Sequence, residues 1–141
     1  MHSTMTRRNF LQQSALGGAG LLILSHSKLA FAYAANDKLS VAGIGVGNQG
    51  RGDLDAIAGS GANLVALCDV DHKTAADTFK KYPSAKPCRD FRKMLDDMEK
   101  QIDAVLVATP DHTHAVAAVA AMRRGKPVYC EKPLTRTVRE A

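Results

Sequence analysis

"IGVGNQGRG" (residues 44–52) closes a short apolar run, "KLSVAGIGV" (38–46), with glycines at 45, 47 and 50. An apolar run that ends in G-x-G-x-x-G and opens a helix is the pattern of a strand–turn–helix unit that cradles a dinucleotide. The first glycine makes a tight turn, the second lets the backbone approach a pyrophosphate, and the third lets the helix pack closely on the sheet. Phosphate charge then sits at a helix N-terminus, where free N–H groups and the dipole favour an anion. Gly45, Gly47, Asn48, Gln49 and Gly50 are therefore candidate cofactor-binding residues. The pattern also requires an acid about 20 residues further on for a ribose hydroxyl. "ALCDVD" (66–71) supplies Asp69 at the end of a second apolar run, "ANLVALCDV" (62–70). A carboxylate there repels a 2′-phosphate, which favours NAD over NADP. His72 and Lys73 stand close behind as cations able to receive such a phosphate, so NADP stays open.

Outward from this unit, the period of the sequence alternates. "IDAVLVATP" (102–110) and "PVYCE" (127–131) are two further apolar runs, read as buried strands, and "PSAKPC" (83–88) holds a short third strand. Continuous rather than alternating hydrophobicity suits parallel strands covered on both faces. Residues 71–82 read as a helix with Ala75, Ala76 and Phe79 on its apolar side. In "DFRKMLDDMEK" (90–100), Phe91, Met94, Leu95 and Met98 make an amphipathic face. "HAVAAVAAMRRG" (114–125) aligns Ala115, Val116, Val119 and Met122 and stops at Arg123-Arg124-Gly125. Asp111 is placed to cap that last helix through its side chain. Strand–helix alternation of this kind predicts an α/β fold, a Rossmann-type doubly wound parallel sheet.

Composition narrows the function. With 45% hydrophobic and 23% charged residues the chain is globular in character. The net charge of +5 includes +3 from Arg7, Arg8 and Lys28 within residues 1–32, leaving 16 basic and 14 acidic side chains without a basic block, so no nucleic-acid partner is expected. Cys68, Cys88 and Cys130 show no C-x-x-C spacing and read as packing residues. "DHTH" (111–114) offers two histidines two apart with no third nearby, a poor donor set for catalytic zinc, and no metal is expected.

Before the fold, "TRRNFLQ" (6–12) is followed by the Gly/Ala-rich "SALGGAGLLIL" and small-residue cleavage options at Ala30-Phe31-Ala32 and Ala32-Tyr33-Ala34. This resembles a twin-arginine (Tat) export signal over residues 1–34, which implies recognition by the Tat machinery, removal, and an exported, periplasmic location. The apolar run falls short of the about 20 residues of a membrane span, so no stable anchor is expected.

"GIGVGNQGRG", "ALCDVD", "ATPDHTHA" and "GKPVYCEKPL" occur in that order and together resemble the N-terminal domain of the glucose–fructose oxidoreductase / inositol dehydrogenase / MocA family, over about residues 38–141. The resemblance implies that Thr109, Pro110 and His114 lie against the cofactor, with a purely structural His114 as the competing reading. It also implies that Glu131, Lys132 and Pro133 follow the fifth strand, with Lys132 as the catalytic residue facing nicotinamide and substrate hydroxyl and Pro133 fixing the turn beside the ring. The expected cofactor is NAD, and the expected substrate a sugar or cyclitol. The family's second α/β domain carries the other catalytic residues and the sheet through which a homo-oligomer forms. Residues 35–141 are accordingly expected to be a dinucleotide-binding domain incomplete at its C-terminal end, inactive alone. Three functions stay open: an NAD(P)-dependent sugar oxidoreductase, an NAD-dependent glycosidase that oxidises the sugar transiently, and a non-catalytic nucleotide-binding module.

Overall fold

The computed structural model describes residues 38–141. The expected export signal, residues 1–34, lies outside the described residues. Five strands run β1 Ser40–Ile44, β2 Asn63–Cys68, β3 Lys86–Cys88, β4 Ala104–Val107 and β5 Val128–Cys130. All pairings are parallel, in the order β3-β2-β1-β4-β5. Four α-helices alternate with them: α1 Asn48–Gly59, α2 Ala76–Lys81, α3 Phe91–Asp97 and α4 Asp111–Met122, with a 3₁₀ turn at Glu99–Gln101. The sheet is that of a Rossmann-type α/β fold, with the order reversing between β1 and β4.

The apolar runs form strands because each supplies residues to two cores. On one face Ala42, Ile44, Ala66, Cys68, Val105 and Val107 pack with Phe91, Met94, Leu95 and Met98 around α3 and with Ala117 and Ala121 of α4. On the other, Val41, Leu64, Leu67 and Leu106 meet Val46, Leu54 and Ala75. The register between β1 and β2 shifts between Val41 and Ala42, which leaves Val65 as an extra residue and puts Leu64 and Leu67 on the same face. Burial of a leucine such as Leu67 contributes about 1.5–3 kcal/mol. All three cysteines are packing residues: Cys68 is buried, and Cys88 and Cys130 pack against the same cluster.

Four local expectations need correction. The helix expected over 71–82 begins only at Ala76. Residues before it are held as a turn, because the Asp71 carboxylate accepts from the Lys73 and Thr74 backbone N–H groups and from the Thr74 hydroxyl. The last helix starts at Asp111, and its buried face is His114, Ala117, Ala118 and Ala121. Val116 and Met122, expected inside, are 50% and 53% exposed. Alanines bring α4 close to the sheet, and the larger side chains are left outside. Asp111 does not cap α4: Pro110 occupies the N-cap position, no side chain accepts there, and Asp111 lies in the first turn. Finally, β5 stands at the edge of the sheet among the described residues, with Tyr129 60% exposed rather than buried.

Other signals hold. Asp90 caps α3 by accepting from Arg92 N–H, and all four expected core residues of that segment are buried. Beyond α4, Gly125 adopts φ +71° and its N–H donates to Met122 O, the expected glycine stop. Arg124 donates to Ala120 O, satisfying one of the last carbonyls.

Candidate functional site

The glycine turn follows β1 directly. Gly45 has φ +80°, and a Cβ there would lie 2.7 Å from the backbone of Ala108 and Thr109, so only glycine fits. Gly50, in the first turn of α1, is closer still: a Cβ would lie 1.9 Å from the Gly45 carbonyl oxygen. The third glycine therefore lets α1 sit on the turn itself. Gly47 is the N-cap of α1 and, among the described residues, no side-chain cap hydrogen bond is made there, which leaves the first N–H groups of the helix without a side-chain cap. The first turn of α1 also contains no acid. That end of the helix suits a phosphate.

Side chains from the next βα unit hold the turn. Asp69, one residue beyond β2, accepts from Val46 and Gly47 N–H at 3.0 Å each through one oxygen. Its other oxygen accepts from Asp71 N–H at 2.9 Å. The buried Thr78 hydroxyl of α2 donates to Val46 O at 2.7 Å. Each carboxylate oxygen offers about two acceptor sites, so Asp69 retains one acceptor site for an outside donor.

A cleft of about 700 Å³ opens beyond the carboxyl ends of the strands, at the reversal between β1 and β4. Gly45, Gly47, Asn48, Gln49, Asp69, Thr109 and Pro110 all line it. Gly50 lies beneath it, buried against Gly45. The Cys68 thiol on the floor is pushed up to about 12 by burial first, then by Cys88, Asp69 and Asp90, and so is neutral. Helix N–H donors without a side-chain cap, a glycine cradle that a Cβ would fill and a half-buried carboxylate at the switch point fit a dinucleotide.

The remaining expected residues stand apart from that lining. Glu131 N–H donates to Val107 O at 2.9 Å, extending β5 beyond Cys130, and its carboxylate accepts from the Tyr129 hydroxyl at 3.4 Å. Lys132 and Pro133 follow, exposed, with a cis peptide bond between them. His114 is buried at 1% exposure in α4, away from the cleft lining. Its Nδ1 lies 2.6 Å from the Pro133 carbonyl oxygen. A carbonyl only accepts, so Nδ1 carries the proton, and Nε2 is buried without a hydrogen-bond partner among the described residues. His114 thus ties α4 to the segment that presents Lys132. His112, two residues earlier, faces the cleft instead, and the described residues hold no cluster of three or more metal-ligating side chains.

Sequence reading missed the wall contributed by the end of β3 and the start of α3: Arg89, Asp90, Phe91 and Arg92 line the cleft. The available signal was positional, since a residue one past a parallel strand lies at the ligand-binding edge of the sheet. The two cations left open as partners of a 2′-phosphate, His72 and Lys73, are absent from the cleft lining. His72 Nε2 lies 3.3 Å from Cys88 O, with its ring edge-on to Phe79.

Comparison with known proteins agrees with this geometry. The family model described as "Oxidoreductase family, NAD-binding Rossmann fold" (GFO_IDH_MocA) matches residues 39–141. Inositol 2-dehydrogenase 2 of Saccharopolyspora erythraea is 39% identical over 101 residues, which cover 70% of this chain and 29% of the relative. An alpha-N-acetylgalactosaminidase of Tannerella forsythia is 32% identical, with the match covering 96% of this chain and 34% of the relative. Among solved structures, myo-inositol dehydrogenase from Lactobacillus casei in complex with NAD(H) and myo-inositol superposes with a TM-score of 0.67 at 31% identity, covering 74% of this chain and 31% of that one. The chain thus spans about a third or less of the length of these relatives. The glycine turn, the acid after β2 and the matched residues together identify the chain as a member of the glucose–fructose oxidoreductase / inositol dehydrogenase / MocA family, carrying its NAD-binding Rossmann fold.

Proposed function

We propose that the chain is the cofactor-binding part of an NAD-dependent oxidoreductase acting on a hydroxyl of a sugar or cyclitol. The observation that carries the reading is the uncapped N-terminus of α1, which opens beside Asp69 into the cleft at the switch point. Gly45, Gly47, Asn48, Gln49 and Gly50 would hold the pyrophosphate, and the remaining acceptor site of Asp69 a ribose hydroxyl. Thr109 and Pro110, on the β4 side, would flank the nicotinamide half, with Glu131 and Pro133 closing the wall beyond β5. Bound NAD supplies the hydride-accepting ring. Lys132 would hydrogen-bond the substrate oxygen and stabilise negative charge that develops there. His114 would act on the cofactor through its tie to Pro133, holding the Lys132 turn in place.

The residues that complete catalysis, the contacts that choose the substrate and the surface for homo-oligomerisation belong, in this proposal, to a second domain. Residues 1–34 support Tat-dependent export of the protein with its NAD already bound, since that route carries folded proteins. Dinucleotide binding is then a property of residues 35–141.

A second reading is supported by the Tannerella relative, whose similarity extends over 96% of this chain. In it the same NAD site serves a glycosidase that oxidises the sugar only transiently and leaves the nicotinamide as it began. Product analysis of the whole protein that carries this domain separates the two. Net NADH with an oxidised sugar supports the oxidoreductase. Glycoside cleavage without net NADH supports the glycosidase. In either case Lys132→Ala should lower turnover by about 10²–10⁴-fold while NAD affinity stays within about threefold. Unchanged turnover in Lys132→Ala would refute the catalytic role and favour a binding module.

A further inference from the structure

Cys68 and Cys88 stand opposite one another. They are register partners at the carboxyl ends of the parallel strands β2 and β3. Both side chains lie on the α3 side of the sheet, Cys68 within the core cluster there and Cys88 packed against it. Neighbouring strands run about 4.8 Å apart, inside the range of about 4.4–6.8 Å between Cα atoms that a disulfide spans. The thiols are also close enough that the charge of a Cys88 thiolate is felt at Cys68. In the reduced protein Cys88 Sγ donates only to Lys86 O, at 3.6 Å, a weak contact that a turn of the side chain gives up. Cys130, on β5, is separated from Cys68 by both β1 and β4 and is out of reach. The pair borders the cleft. Cys68 lines it and is followed by Asp69, while Cys88 O accepts from Asp69 N–H at 3.1 Å and lies 3.3 Å from His72 Nε2.

We propose that Cys68 and Cys88 are a thiol pair that a disulfide oxidant joins across β2 and β3, and that this bond weakens dinucleotide binding in the adjoining cleft. The effect on binding rests on the dinucleotide reading of the cleft; the bond itself does not. Half-buried Cys88 meets the oxidant, R–S–S–R. Its thiolate attacks one sulfur, forms Cys88–S–S–R and releases RS⁻. Cys68, losing its proton, then attacks the Cys88 sulfur and expels the second RS⁻. The pair gives up two electrons and two protons, and the oxidant leaves as two RSH. Burial pushes both thiols up, so the exchange is slow at neutral pH and quickens in alkali. The Cβ atoms of a disulfide lie about 3.8 Å apart, so the bond draws the two strand ends together by about an ångström. Asp69, the next residue, is then pulled from the Val46 and Gly47 N–H groups that fix the glycine turn. Loss of one such contact is worth about tenfold in affinity. By linkage, bound NAD opposes the bond by the same factor. Export would carry the pair into a compartment where disulfides form and persist.

The test uses the whole protein that carries this domain, freed of nucleotide and incubated with oxidised glutathione. Remaining thiols are blocked and the peptides mapped by mass. The expected product is a Cys68–Cys88 cross-link, formed also in Cys130→Ser and absent in Cys88→Ser. In ligand-observed NMR titrations NAD should bind about tenfold more weakly after oxidation and recover with dithiothreitol. Cys88→Ser should match the reduced wild type before and after the oxidant. Free Cys68 and Cys88 after incubation, or glutathione held on Cys88 beside an unreacted Cys68, would overturn the proposal. A cross-link that leaves NAD affinity within about twofold would overturn the coupling to the cleft. No NAD binding even by the reduced protein would refute the dinucleotide reading and the coupling with it, while the mass map decides the bond on its own.

Discussion

Two glycines on the same helix should answer the same substitution with opposite signs. At Gly50 an added methyl would lie 1.9 Å from the Gly45 carbonyl oxygen and 3.0 Å from its carbon, with the Ala108 side chain at 3.1 Å. Cβ atoms essentially never approach another heavy atom closer than 3.0 Å, so α1 and the turn would have to separate by about an ångström. The obstructing atom is backbone fixed by the strand, not a side chain free to swing aside. Overpacking against such a partner costs about 1–3 kcal/mol, and alanine's better helix propensity returns at most about 1 kcal/mol. The tight contact places the cost at the upper end, so Gly50→Ala should lose about 2 kcal/mol net. At Gly52, also in α1 and exposed, nothing lies within 4 Å of an added Cβ. Gly52→Ala should therefore gain about 0.5–1 kcal/mol. Urea unfolding followed by circular dichroism reads both. With a slope of about 1–3 kcal/mol/M, the midpoint falls by about 0.7–2 M for Gly50→Ala and rises by a few tenths to about 1 M for Gly52→Ala. A Gly50→Ala protein within about 0.5 kcal/mol of wild type would show that the helix can shift off the turn, refuting the steric argument.

Two further outcomes follow from the same contacts. Thr78→Val keeps the shape of the side chain but removes the buried hydroxyl that donates to Val46 O, and should cost about 1–3 kcal/mol in urea unfolding; Thr78→Ser, which keeps the donor, should recover part of it, and equal losses in the two variants would exclude the hydrogen bond as the cause. Asp55 accepts from Lys81 at 2.8 Å and from the Tyr82 hydroxyl at 2.6 Å, and these partners hold its carboxyl below the ordinary value. A lowered carboxyl stabilises the fold fully above its unfolded value and loses that contribution as pH falls through the folded one, so Asp55→Asn should flatten this part of the acid limb of the urea midpoint. The Tyr82 phenol is pushed up to about 12 by burial and then by Asp55. In Asp55→Asn its ultraviolet titration should move down towards the ordinary value of about 10, and an unmoved curve would assign the whole shift to burial.

The strands were legible because parallel, doubly covered strands write themselves as unbroken apolar runs, and the glycine turn because each glycine answers a separate steric demand. The phase of α4 was not. Its contact with the sheet is made by Ala117, Ala118 and Ala121, whose small methyls weigh little in a hydrophobic pattern dominated by Val116 and Met122. The late start of α2 was hidden in Asp71 and Thr74, whose side chains compete for backbone donors that a helix would otherwise use. Within the site, Asp69 could be found by spacing, but not the three donors that occupy it. Arg89 escaped because it reaches the cleft through a strand of only three residues, Lys86–Cys88, far along the chain from the glycines. His114 was assigned to the cofactor or to structure. Its contact with Pro133, 19 residues further along the chain, joins two motifs that spacing presents as unrelated.

The ties from Asp69 and Thr78 to Val46 and Gly47 set a lower bound on what can be transplanted. A designer who grafts residues 44–52 onto another strand–helix unit would carry over the glycines without the groups that fix their loop. The portable module runs from Ser40 to Thr78, through the second strand and into the helix behind it. A graft of that length should arrive with its loop already shaped, whereas the nine-residue version would need its ligand to do the shaping, with affinity reduced accordingly.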